Sequence, residues 1–370
     1  MELSLSNLSP YEQIILKLRG LYGKYGYTRC QVGTFERYDF YARNRSALPG
    51  EEVLVFTDAD GSLMALKPDV TMSIVKNVPD QAQGLRKLCY DENVYRIPAG
   101  GAGFRETVQT GLECIGSLDD YAVGEVLMLA LKSLSAIRKN YILNLGHVTL
   151  LDGLLDLALK PEADRSSILK AMDQKNLGAL SQACEEAGVT APYQETLKTL
   201  TTLYGPLKET LPVVEELAEG EKMQQACREL RAVRDLMEAY GLGDHLYLDF
   251  SVRGGTDYYS GLVFLGFVDN AARPVLSGGR YDKLIHRMGK NLGGIGFAVY
   301  LDQLDRSRSD RLDADILLIY DEEVPAGQVI RTVANLKQDG ARVRAERQVP
   351  QDLRYGRLLK LGTEGVTELD

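Results

Sequence analysis

The sequence is poor in the residues that carry most metal and redox chemistry. Among 370 residues only three are histidine (His147, His245, His286), and they lie far apart, which argues against a zinc site. The five cysteines (Cys30, Cys89, Cys114, Cys184, Cys227) form no CxxC pair and are odd in number. Reduced, buried thiols are therefore expected rather than a disulfide framework or a metal cluster. No apolar run reaches the roughly eighteen residues that a membrane span needs. The opening MELSLSNLSPYEQ has neither the basic n-region nor the apolar core of a secretory leader, so a cytoplasmic protein is expected. Cations are outnumbered, 43 Lys and Arg against 52 Asp and Glu, for a net charge of −9. That balance disfavours a general nucleic-acid binder, because non-specific affinity needs clustered cations. A Walker loop and a Ser-His-Asp arrangement are also missing. Small molecules or other proteins remain as partners.

What is present is ordered. The length allows two or three domains with a substantial core. Ser9-Pro10-Tyr11-Glu12 is a capping box with proline at the first helical position, and Ile14, Ile15, Leu18, Leu21 and Tyr22 supply the apolar stripe of a helix. Apolar stretches at 54–56 and 63–66 flank Asp58-Ala59-Asp60-Gly61, a hairpin signal. Residues 88–97 and 104–116 read as strands joined by the glycine-rich PAGGAG, and a helix runs from Asp119 to Arg138. From about 151 to 243 successive helical patterns predict an all-helical insertion. Strand character returns at 245–250 and 258–267. GGIGFAVYLDQL (293–304) reads as a glycine-opened apolar run that turns into a helix. A polar linker, RSRSDRLDA, precedes a strand–helix–strand unit over 315–346. The expected class is α+β, a largely antiparallel sheet backed by helices.

Strand alternation makes 104–116 informative. Thr107, Gln109, Gly111 and Glu113 fall on one face, and Val108, Thr110, Leu112 and Cys114 on the other. The second face reads as core. The first offers an amide and a carboxylate with a glycine between them, which is either room for something small or the solvated side of an antiparallel sheet. LKPDVT adds Asp69 and Thr71, which ordinary turn chemistry also explains. VRGGTDYYSG places Arg253 in a glycine-rich bend before Tyr258 and Tyr259 on a strand, and a bulged strand with core tyrosines fits equally. SGGRYDKL contributes Tyr281. Together with Arg96, these carboxylates, hydroxyls and guanidiniums suit a small zwitterion, whose ammonium seeks carboxylate and whose carboxylate seeks arginine.

The order of these stretches resembles the class II histidyl-tRNA synthetase catalytic core over about residues 8–306. NVYRIPAGGAGFRETVQTGLECIG is similar to that family's second class motif, VRGGTDYYSG to its histidine-binding signature, and SGGRYDKL with GIGFAVYLDQL to its third class motif. The resemblance implies a six- or seven-stranded antiparallel sheet flanked by helices, and a homodimer. It also implies that Asp69, Thr71 and Gln109 hold the α-amino side of histidine. Glu113 and the Tyr258–Tyr259 pair would read the imidazole, with Tyr281 beside them. Arg253 would lie near the carboxylate, and Arg96 would belong to the same set.

Departures from that pattern carry the functional expectation. A loop arginine expected in the second motif is Gly103 here, Ile97-Pro98 replaces a glutamate-containing stretch, and the third motif ends Tyr300-Leu301-Asp302-Gln303-Leu304 where Gly-Leu-Glu-Arg-Leu is usual. Gly103, Tyr300 and Gln303 thus mark a degenerate ATP site, and charge neutralisation is most of what an enzyme supplies to attack at phosphorus. Residues 307–370 look like a truncated anticodon-binding α/β segment behind a 1–306 core. This combination resembles the histidyl-tRNA synthetase-like regulatory subunits of ATP phosphoribosyltransferase. The resemblance implies no catalytic residues, no cofactor and no metal. It implies assembly with a short-form catalytic subunit in a hetero-octamer, and feedback by histidine. The alternatives are a divergent synthetase paralogue that still activates an amino acid, and a tRNA-binding sensor, which the acidic charge disfavours.

Overall fold

The computed structural model describes residues 8–45, 48, 52–79, 84–97, 101, 103–253, 258–304, 312–337 and 340–369. The glycine-rich bend at 254–257, Pro98 and most of the polar linker lie outside the described residues. Two compact units are present, Met1–Asp305 and Arg306–Asp370.

The first unit opens with α1 (Pro10–Gly23), fixed by its capping box. Ser9 Oγ accepts from the Glu12 N–H at 3.2 Å, and the Glu12 carboxylate accepts from the Ser9 N–H at 2.7 Å. Next come β1 (Thr28–Arg29), β2 (Phe35–Arg37), α2 (Tyr38–Arg43), β3 (Val55–Thr57), β4 (Leu63–Leu66) and α3 (Val70–Asn77). The long hairpin of β5 (Arg86–Arg96) and β6 (Arg105–Gly116) leads into α4 (Asp120–Ile137), β7 (Tyr141–His147) and α5 (Val148–Ala158). The insertion then holds α6 (Ser166–Asp173), α7 (Leu177–Glu186), α8 (Ala191–Thr202), β8 (Tyr204–Pro206), α9 (Leu207–Leu217) and α10 (Gly220–Ala239). β9 (Leu246–Asp249), β10 (Leu262–Val268), β11 (Leu276–Arg280), α11 (Asp282–Arg287) and β12 (Gly293–Tyr300) complete the unit.

Among the described residues the main sheet runs β1-β5-β6-β12-β11-β10-β7-β9-β8. From β5 to β7 every neighbour is antiparallel, which is the sheet expected from the resemblance. The sheet is wider than six or seven strands because β1 joins β5 in parallel, β9 joins β7 in parallel, and β8 pairs with β9. The insertion is therefore not all helical. Tyr204–Pro206 is a three-residue edge strand, the place where proline is tolerated in a sheet. The GGIGFAVY run is a full strand inside the sheet, and the expected helix after it is a single 3₁₀ turn, Leu301–Gln303. Tyr258 and Tyr259 precede β10 rather than lying on it.

One face of the sheet carries the main core, where Leu112 and Cys114 of β6 meet Leu127, Leu131 and Leu134 of α4. Each such leucine contributes about 1.5–3 kcal/mol by leaving water. The four buried cysteines and half-buried Cys30 are free. The opposite face is buried too. Ile115 and Tyr281 join Val70, Ile74 and Val75 of α3 in a second cluster. β6 is consequently enclosed on both sides from Gln109 onward, whereas Val108, expected in the core, is 40% exposed near the open end of the hairpin.

The second unit is a four-stranded sheet, β14 (Val343–Glu346), β13 (Ala314–Tyr320), β15 (Tyr355–Gly362) and β16 (Gly365–Leu369), with β13 parallel to both its neighbours. Helix α12 (Ala326–Leu336) lays Val329, Val333 and Leu336 on Ile316, Leu318 and Leu359. The strand–helix–strand expectation holds here, with a further antiparallel pair after it.

Lys67, at the junction of β4 and α3, is 1% exposed, and its ammonium pairs with Glu92 of β5. Removing one member of such a pair strands the other without a counter-charge, whereas replacing both with apolar groups is often neutral. Lys67→Met is expected to cost about 3–5 kcal/mol in urea unfolding, and Lys67→Met with Glu92→Leu to recover most of it.

Candidate functional site

The enclosed face of β6 opens into a cavity of about 260 Å³. Its floor exists because β12 pairs with β6 in a register that sets Gly296 opposite Glu113. A Cβ on Gly296 would collide with Glu113 Oε2 and with the Leu112 carbonyl oxygen. The missing side chain is what lets a carboxyl occupy the sheet interior.

Glu113 is 1% exposed. Thr71 Oγ1 donates to its Oε1 at 2.6 Å, and the Tyr281 hydroxyl donates to its Oε2 at 2.5 Å. Thr71 is delivered by the first turn of α3, and Tyr281 by the turn into α11. Burial pushes the Glu113 carboxyl from its ordinary 4.5 up to about 8, outweighing the two hydroxyl donors, and the neighbouring Asp69 carboxylate adds to the rise.

Asp69 caps α3, its Oδ1 accepting from the Met72 N–H at 2.8 Å. Arg96 stands beside it, with Nη2 at 3.5 Å from Asp69 Oδ2 and Nε donating to the Pro68 carbonyl. Burial raises the Asp69 carboxyl, and Arg96 with the Met72 and Thr71 N–H groups opposes that rise. The cavity thus holds two carboxyls of different kinds, one beside a guanidinium and one among hydroxyls.

Aromatic groups complete the walls. Tyr258 and Tyr259 have ring centroids 4.8 Å apart, and Tyr258 meets Tyr281 edge-on at 6.1 Å. Burial drives the hydroxyls of all three far above their ordinary range, so they stay protonated and act as hydrogen-bonding groups rather than nucleophiles. At the other end Gln109 lies opposite Tyr300 across β6 and β12, and the Tyr300 hydroxyl meets Ser277 Oγ of β11 at 2.7 Å.

The structure therefore brings Asp69, Thr71, Arg96, Gln109, Glu113, Tyr258, Tyr259, Tyr281 and Tyr300 to one cavity. Arg253 is the exception. Its guanidinium turns to α6, with Nε donating to Asp173 Oδ1 at 2.6 Å, Nη2 to the other Asp173 oxygen, and Nη2 also to the Leu169 carbonyl at 3.0 Å. A bidentate carboxylate in the insertion outcompetes the cavity for this cation. Gly103 and Gln303 do not line the cavity either. Gly103 takes a left-handed backbone with φ +88°, and Gln303 Nε2 donates to Asp302 at 2.8 Å. Sequence reasoning missed Tyr90, Ser277 and Leu48 as lining groups. Tyr90 was within reach, since it pairs with Gly111 across the hairpin and so faces the same way. Among the described residues no group of three or more His, Cys, Asp or Glu could hold a metal ion.

The family model described as histidyl-tRNA synthetase matches residues 2–304. An ATP phosphoribosyltransferase regulatory subunit from Clostridium kluyveri is 31% identical over 320 residues, covering 83% of this chain and 81% of the relative. Among solved structures, an ATP phosphoribosyltransferase regulatory subunit/histidyl-tRNA synthetase from Bacillus halodurans superposes with a TM-score of 0.75 at 23% identity, over 92% of this chain and 90% of that one. A chain of the ATP phosphoribosyl transferase (HisG:HisZ) complex from Thermotoga maritima shares the fold with a TM-score of 0.61 at 18% identity, over 78% of this chain and 96% of that one. The chain belongs to the histidyl-tRNA synthetase family, on the branch of the ATP phosphoribosyltransferase regulatory subunits.

The raised Glu113 carboxyl gives a signed prediction. Between about 4.5 and about 8 the unfolded chain ionises this group while the folded chain keeps it neutral. Its contribution to stability is full below that window and is lost as pH rises through it. Glu113→Gln lacks that slope. The stability of the variant relative to the unmodified chain should improve, by on the order of 4 kcal/mol, from pH 4.5 to pH 8.5. Urea unfolding across the range checks it, and a pH-independent difference contradicts it.

Proposed function

We propose that this chain is a regulatory subunit of ATP phosphoribosyltransferase, without catalysis of its own. It assembles as a homodimer with a short-form catalytic subunit in a hetero-octamer and senses histidine in its cavity. The observation that carries the reading is the split character of that cavity. One half carries groups that suit a small zwitterion with a polar ring: Asp69 and Gln109 for an ammonium, Arg96 for a carboxylate, and Glu113 with the tyrosines for the ring. The other half is walled by Tyr300 and Ser277, and the phosphate-holding cations are absent from positions 103 and 303. A nucleotide's phosphates would lack the cations that the family pattern has at these two positions, so adenylation is not supported there.

The relatives' names point the same way, since they describe regulatory subunits and a two-component complex. No helix among the described residues is long and apolar enough to cross a membrane. A cytoplasmic biosynthetic complex is the natural setting. Histidine regulates by binding two quaternary states unequally, and the coupling to catalysis equals that difference, typically about 1–3 kcal/mol.

The test is reconstitution. The purified chain is mixed with a short-form ATP phosphoribosyltransferase catalytic subunit, and condensation of ATP with phosphoribosyl pyrophosphate is assayed with and without histidine. Co-elution, stimulation and histidine inhibition are expected, and Glu113→Gln should blunt the histidine response while leaving stimulation in place. A chain that neither binds nor stimulates the catalytic subunit overturns the reading.

A further inference from the structure

The cavity holds a buried carboxyl whose hydrogen-bond partners are hydroxyls and not cations. Thr71 and Tyr281 occupy the two oxygens of Glu113. The other titratable groups on its side of the sheet are Asp69 ahead of α3, Tyr90 on β5, Tyr258 and Tyr259 ahead of β10, and the Cys30 thiol, while Cys114, next to it on β6, points into the opposite core. None of them is a cation that could balance a carboxylate at Glu113. Arg96, the one cation among the described residues lining the cavity, is turned to Pro68 and Asp69. A carboxylate buried without a counter-charge is driven to its neutral form. A ring with two nitrogens supplies what is missing: a lone pair to receive a proton, and then a cation to stay beside the carboxylate.

We propose that Glu113 hands its proton to an imidazole-type ring entering the cavity, so that the ligand is held as a cation over a carboxylate. This rests on the reading that the cavity takes histidine. In the step the Glu113 O–H bond breaks, its electron pair stays on the carboxylate, and the ring nitrogen's lone pair forms the new N–H bond. Thr71 and Tyr281 then donate to a full carboxylate, the acceptor for which such bonds are shortest and strongest. The number of protons on the pair is unchanged by binding.

That conservation has a consequence for pH. A free imidazole side chain titrates near about 6.5, and Glu113 in the unliganded protein near about 8. Between the two values Glu113 brings the proton and the ring brings none, so nothing is exchanged with solvent. Below the window the ring arrives already protonated and one proton must leave. Above it, one must be taken up. Affinity is greatest inside the window and falls up to about tenfold per pH unit on either side. Asp69 and the ligand's α-amino group titrate as well, which makes the charge state of the bound ring the cleaner readout.

The experiment uses the full chain with L-histidine labelled with nitrogen-15 in the ring, at about pH 7.8, where the free ring is neutral. The two nitrogens of an imidazolium resonate close together and those of a neutral ring far apart. The bound ligand is expected to show the imidazolium pattern. Its heat of binding near pH 7.2 should not depend on the buffer's ionisation enthalpy. Glu113→Gln is expected to bind a neutral ring at least tenfold more weakly, and if that variant fails to fold, the spectrum of the unmodified chain decides alone. A neutral ring on the unmodified chain overturns the proton transfer and leaves the cavity reading standing. No histidine binding at all overturns both.

Discussion

A carboxyl buried inside a β-sheet needs space, hydrogen bonds and a reason to stay there. Here the space comes from Gly296, directly across the β6–β12 register from Glu113. The hydrogen bonds come from Thr71 and Tyr281. A one-residue slip between these strands would turn every side chain on β6 to the other face, putting Glu113 into the leucine core of α4. α3 and the turn into α11 each send a hydroxyl to this carboxyl, and the tyrosines ahead of β10 line the same cavity. The site is accordingly a property of the sheet, and loops supply only its walls.

The same frame explains how a family built for chemistry can supply a regulatory subunit. Recognition of a small zwitterion needs complementary charge and a shaped, dry cavity. Activation needs cations placed where phosphate charge develops. The two requirements fall on different residues, so the second can be lost while the first is retained. Tyr300, hydrogen-bonded to Ser277, adds bulk where the family pattern has glycine. Arg253, a cation that sequence pattern assigned to the ligand, instead ties the segment before the tyrosines to helix α6 of the insertion.

Much of this was legible before any coordinates. Alternation along 104–116 separated Glu113 and Gln109 from Leu112 and Cys114 because a strand's period of two is strict. The solvated alternative for the Gln109 face was removed by the packing of α3 and Tyr281 over it, which no local pattern encodes. Arg253 was misplaced because its partner Asp173 is 80 residues away in sequence, and a helical pattern does not say which distant side chain its carboxylate will meet. The strand at Tyr204–Pro206 was invisible because three residues ending in proline carry no strand pattern, and only pairing with β9 makes them one. The helix expected after Tyr300 shrank to a 3₁₀ turn, which the extended backbone of Leu304 ends.

The central claim is that the amino-acid half of a synthetase site persists here without its activating half. Histidine-dependent exchange of labelled pyrophosphate into ATP by the purified chain tests it most directly. At saturating histidine and with Mg²⁺ present, the account predicts no exchange above the protein-free background. Exchange that depends on histidine and disappears in Glu113→Gln would contradict it and return the chain to the synthetases.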